Sequence, residues 1–109
     1  MAQRAKLTRQ IVILNMKTSI QEKVTIINKL GLHARAAAKF ASTAGKYGCK
    51  IHVGTSNDQL VDAKSVMSLM LLAASKGTVL YLNIQGSDAE TAYESLKNLV
   101  ANRFDEKDL

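Results

Sequence analysis

His33 stands two residues after Gly31 and two before Arg35 in the stretch Asn28-Lys29-Leu30-Gly31-Leu32-His33-Ala34-Arg35-Ala36-Ala37. The patterns on either side predict a strand that ends before this histidine and a helix that starts after it. The first four N–H groups of a helix lack intrahelical partners and the macrodipole adds positive potential, so a helix N-terminus is a ready anion site. A neutral imidazole is a nucleophile, and the helix terminus and the Arg35 guanidinium both disfavour the charged ring. Arg35 offers paired N–H donors to a phosphoryl oxygen, and the backbone N–H groups of Ala34 and Arg35 offer others. A phosphate on His33 would therefore have its charge met without a metal, which suits transient phosphoryl storage. A histidine that only caps or packs at a helix start fits the same spacing equally well.

Ser65 is a second candidate. It precedes the apolar run Val66-Met67-Ser68-Leu69-Met70-Leu71-Leu72, and a helix N-cap accounts for a serine there. Helical geometry puts Val66 and Met70 on one face and swings Leu69 and Leu72 partly away. These side chains fit a core, and equally a partly exposed, adaptable contact formed by Val66, Met67 and Met70, a use to which methionine is suited. Arg35, Lys39 and Lys64 around them could meet an acidic partner, although single exposed charges are usually only solvated. His52 has no second histidine or cysteine at ligand spacing, so no metal is assigned. Cys49 has no visible base beside it and reads as an inert, half-buried thiol; Ser68 is assigned no role either.

The elements that must position these groups follow from periodicity. Val24 and Ile26 alternate with Lys23 and Thr25 as in a half-buried strand that Asn28 to Gly31 end. Ala37, Phe40, Ala41 and Ala44 make one stripe of a helix over 34–47. Residues 50–53 and 60–62 read as a hairpin around Gly54-Thr55-Ser56-Asn57-Asp58. A short helix opens at Ser65 and is expected to stop at Lys76-Gly77. Within 78–85, Leu80, Leu82 and Ile84 share one strand face. Ser87 and Glu90, three apart, predict a capping box for a last helix carrying Ala89, Ala92, Tyr93, Leu96, Leu99 and Val100. The order β-α-β-β-α-β-α predicts an α+β fold, an open-faced β-sandwich with a four-stranded antiparallel sheet and three helices on one face. Ferredoxin-like and RNA-recognition folds share most of that order, so the function rests on the residues.

Composition narrows the field. At 109 residues with 47% hydrophobic and 22% charged side chains, the chain is the size of one globular domain. No apolar run approaches the roughly 20 residues of a membrane span. Its single cysteine allows neither an internal disulfide nor a zinc module, which points to a reducing cytoplasm. The net charge of +6 is mostly terminal: residues 1–19 hold Arg4, Lys6, Arg9 and Lys17 with no acid, leaving eleven bases against nine acids beyond them. Residues 1–19 are predicted to be a disordered extension, and Ile11-Val12-Ile13-Leu14 is shorter than the roughly 7–15-residue core of a signal peptide. An RNA-binding module, suggested by strand order and charge, needs exposed aromatics on the sheet. Only Tyr81 of the five aromatic residues lies in an expected strand, so no nucleic-acid partner is assigned.

The stretch Gly31-Leu32-His33-Ala34-Arg35 resembles the active-site signature of the HPr family, the histidine-containing phosphocarriers of the bacterial phosphoenolpyruvate-dependent phosphotransferase system. Ala63-Lys64-Ser65-Val66-Met67 resembles the family's second signature, around a regulatory serine, and the resemblance spans residues 20 to 104. It implies that the pros nitrogen of His33 takes a phosphoryl group from phospho-enzyme I and passes it to an enzyme IIA acceptor, with Arg35 steadying the phosphohistidine. It also implies that an HPr kinase/phosphorylase modifies Ser65 and so weakens docking to enzyme I. Such a chain is a cytoplasmic carrier without cofactor, a protein substrate rather than an enzyme, and a monomer best serves several partners. The nitrogen-branch paralogue shares the histidine signature; Lys64, Ser65 and Met67 favour the HPr side. One departure is Ala36, where most members have proline: alanine gives up a preset φ and gains an N–H donor.

Overall fold

The computed structural model describes residues 19–107. The expected extension over 1–19 lies outside them except for Ser19, which opens the first strand. The elements are β1 (Ser19–Thr25), α1 (Ala34–Gly45), β2 (Lys50–Gly54), β3 (Val61–Asp62), α2 (Val66–Leu71), β4 (Val79–Gln85), α3 (Ala89–Ala101) and a 3-10 turn, Arg103–Asp105. All strand pairs are antiparallel in the order β1-β4-β2-β3. Val24 faces Leu80 across β1 and β4, while Ile51 faces Ile84 and Val53 faces Leu82 across β2 and β4.

These side chains line the inner face of the sheet, and the expected stripes of two helices cover it. From α1 come Ala36, Ala37, Phe40, Ala41 and Ala44, and from α3 come Ala89, Ala92, Leu96 and Val100, all buried. Small alanines let the helix axes approach the sheet, and Phe40 fills the space between. Among the described residues the opposite sheet face is mostly polar, with Val79 partly exposed on it. Tyr81 on β4 is the one Phe, Tyr or Trp there among the described residues, with Lys23 of the paired strand 5.2 Å from its ring centre.

Several features differ from those expected, and α1 ends at Gly45 rather than at 47. The short helix stops at Leu71, well before Lys76-Gly77: Ala73 takes a left-handed φ of 51° and ends it, while Gly77, at φ 91°, turns the chain into β4 and donates its N–H to the Ile26 carbonyl at 2.7 Å. The Ser87–Glu90 capping box does not form. Asp88 is the N-cap of α3, and its Oδ2 accepts the Gly48 N–H at 2.9 Å, so the carboxylate ties the start of α3 to the loop between α1 and β2. A further difference is the left-handed turn after α3, with φ of 56°, 54° and 61° at Arg103, Phe104 and Asp105. Each such residue costs about 1–2 kcal/mol against right-handed backbone, and full burial of Phe104 offsets part of that cost.

Candidate functional site

His33 is the N-cap of α1, in extended backbone at φ −74° and ψ −179°, and its side chain makes no capping bond to the helix. The Ala37 N–H donates to the His33 carbonyl at 2.8 Å. The N–H groups of Ala34, Arg35 and Ala36 therefore belong to the unpaired first turn. No acidic residue belongs to that first turn. Arg35 is exposed and, among the described residues, has no ion-pair partner. It borders a shallow groove shared with Lys39, Ser42 and Asp105.

The approach to His33 is fixed by a glycine. Gly31 has φ 68°, and a Cβ there would lie 2.5 Å from the Ala74 carbonyl oxygen and 2.8 Å from Ser75 Cα. Only glycine fits both the backbone conformation and this close crossing. The adjacent Leu32 N–H donates to the same Ala74 carbonyl at 2.8 Å, which pins the loop beside the end of α2. Asn28, fully buried, spans the turn by donating from Nδ2 to the Gly31 carbonyl at 2.8 Å.

Sequence reasoning missed Glu106. Its Oε1 accepts from Asn28 Nδ2 at 2.6 Å, and its Oε2 is hydrogen-bonded to His33 Nε2. The His33 side chain is 29% exposed and that of Glu106 10%, so this contact is more enclosed than a surface pair. No local spacing could have linked residues 73 positions apart. Lys39, read as a docking charge, donates to the Phe104 carbonyl at 2.9 Å and stands 3.7 Å from Asp105 Oδ2, helping to fasten the turn that delivers Glu106.

Ser65 caps α2 as its spacing predicts, accepting the Ser68 N–H at 3.2 Å. Lys64 just before it donates from Nζ to the Tyr47 carbonyl at 2.7 Å. On α2, Leu69 is buried and Val66 packs against the core, whereas Met67 is 76% exposed and Met70 is also exposed. Leu71, 82% exposed, extends this apolar surface; it had read as one more residue of an apolar run. Cys49 is buried rather than half-buried, and burial, followed by hydrogen bonding to Asp88 and the charge of that carboxylate, pushes its thiol up to about 11. Among the described residues no cluster of side chains could hold a metal ion, and no helix is long and apolar enough to cross a membrane.

Residues 20–102 match the model of the family described as the PTS HPr component phosphorylation site. The chain is 54% identical to the phosphocarrier protein HPr of Pseudomonas aeruginosa over 84 residues, which is 77% of this chain and 93% of that one. It is 38% identical to the phosphocarrier protein NPr of Shewanella violacea, over 82% of this chain and 97% of that one. A crystal structure of HPr from Thermoanaerobacter tengcongensis superposes with a TM-score of 0.75 at 40% identity, covering 81% of this chain and 98% of that one. A histidine at an uncapped helix start, on a four-stranded open sheet matched along nearly its whole length, thus places the chain among the HPr phosphocarrier proteins of the phosphotransferase system.

Proposed function

We propose that this phosphocarrier holds its phosphoryl group on His33 Nδ1, receiving it from phospho-enzyme I and handing it to enzyme IIA acceptors. The observation that carries the reading is the placement of a part-exposed imidazole at the start of α1 beside N–H groups that no side chain caps. In the receiving step the Nδ1 lone pair attacks phosphorus, a new N–P bond forms, and the donor's bond to phosphorus breaks with its electron pair returning to the donor. The N–H groups of Ala34 and Arg35, together with the Arg35 guanidinium, supply donors to the phosphoryl oxygens. Ala36 adds an N–H that proline would lack.

Ser65 is the regulatory position of this reading, phosphorylated by an HPr kinase/phosphorylase. A phosphate there is compatible with the start of α2, where a serine oxygen already faces an N–H. Its dianion would stand beside exposed Met67 and Met70 and weaken docking of an acidic partner by repulsion and desolvation. Val66, Met67 and Met70 form the apolar part of that docking surface, with Lys39 and Lys64 at its margin. The carrier works as a cytoplasmic monomer. Greater identity to an HPr than to an NPr relative supports the sugar-branch assignment over the nitrogen branch.

Intact mass after mixing with enzyme I and phosphoenolpyruvate tests the reading. One added phosphoryl group, removed by mild acid and absent in His33→Ala, is expected. No gain of mass with an enzyme I that phosphorylates a known HPr would refute it. A kinase arm with ATP should label Ser65 and leave Ser65→Ala unlabelled.

A further inference from the structure

We propose that Glu106 is a positioning residue that orients the His33 ring and selects its tautomer, leaving the Nδ1 lone pair free to attack phosphorus. The inference rests on the reading of His33 as the phosphoryl acceptor. It arises from residues beyond the family match, which ends at 102. The left-handed turn at 103–105 reverses the chain, Phe104 anchors it in the core, and Lys39 of α1 holds the Phe104 carbonyl. The carboxylate of Glu106 thereby arrives with both oxygens engaged, one by Asn28 Nδ2 and one by His33 Nε2.

An ionised carboxylate only accepts hydrogen bonds, so the ring nitrogen facing it carries the hydrogen. A neutral ring with hydrogen on Nε2 has its lone pair on Nδ1. When Nδ1 bonds to phosphorus, no proton leaves His33: the ring keeps the Nε2 hydrogen and gains positive charge, which the facing carboxylate stabilises. The same division of labour operates where a buried aspartate orients a catalytic histidine. Asn28, itself fully buried, holds the second oxygen and keeps the carboxylate from rotating away.

The test compares the full chain with Glu106→Ala and Glu106→Gln. Ring nitrogen shifts in ¹⁵N NMR, recorded without phosphate at a pH above the ordinary imidazole range, report the tautomer. The unsubstituted chain is expected to show hydrogen on Nε2 alone, and Glu106→Ala a mixture of tautomers. Initial phosphorylation by enzyme I should slow by about 10- to 100-fold in Glu106→Ala, as for loss of other outer partners of a working histidine. Glu106→Gln, which keeps an acceptor oxygen without the charge, should retain the tautomer and recover part of the rate. An unchanged tautomer in Glu106→Ala overturns the proposal, even if the rate falls, because the loss would then lie in docking. An altered tautomer with an unchanged rate overturns it too. If the unsubstituted chain accepts no phosphoryl group, the carrier reading fails, and the tautomer comparison, which needs no enzyme I, still decides whether Glu106 controls the ring.

Discussion

At the scale of single residues, the positions that matter differ in how their neighbours were found. His33, Ala34 and Arg35 are adjacent in sequence, and a helix start imposes their geometry, so their grouping was legible before any coordinates. Glu106 and Asn28 reach the same ring through a turn of three left-handed residues that no periodicity announces. Cys49 shows the same contrast: its lack of a sequence neighbour suggested an inert thiol, and the inertness has its cause in burial and in Asp88, far along the chain. The thiol ionises at about 11 in the folded chain against an ordinary value of 9.0. Its raised value contributes stability fully below pH 9, and that contribution is lost as pH rises toward 11, because the unfolded chain ionises first. Asp88 has the opposite sign. Its value is lowered by the Cys49 and Gly48 hydrogen bonds, so its contribution is present above the usual 3.8 and lost in acid. Urea midpoints measured from pH 8 to 11 should show the stability gap between the unsubstituted chain and Cys49→Ala narrowing as pH rises; parallel profiles would contradict this account.

At the scale of elements, strands and long helices followed their hydrophobic stripes, and their ends did not. Leu80, Leu82 and Ile84 are all buried, as alternation requires, and the stripes of α1 and α3 face the sheet. The end of α2 was misplaced because a Lys-Gly pair is a common stop, whereas here an alanine takes the left-handed conformation earlier. The start of α3 was misread because Asp88 gives its oxygen to Gly48 instead of to its own helix. Ser65 does cap its helix, and α2 has only six residues to sustain it. Ser65→Ala should therefore lower unfolding free energy by about 1 kcal/mol, measured by urea titration, while His33 remains phosphorylated by enzyme I at a similar rate. An unchanged midpoint would mean that the cap contributes nothing.

At the scale of the whole molecule, the architecture separates support from chemistry. The inner face of the sheet, closed by α1 and α3, is the core, and the His33 site lies where β1 leads into α1, outside that packing. Gly31 crosses the backbone at Ala74 and Ser75, so the end of α2 buttresses the site from one side while the C-terminal turn reaches it from the other. The strand order and the two signatures were enough to indicate this family, because both are local patterns repeated in the right order. The convergence of the C-terminal turn on His33 was invisible because it depends on the burial of Phe104, a lone aromatic with no stripe to belong to. The most direct test of the account is the position of the phosphoryl group itself, read by ¹⁵N–³¹P coupling on the ring-labelled chain after reaction with enzyme I and phosphoenolpyruvate. Coupling to Nδ1 of His33, with hydrogen retained on Nε2, is the expected result; phosphorus on Nε2 of His33, on His52 or on no histidine would contradict the account.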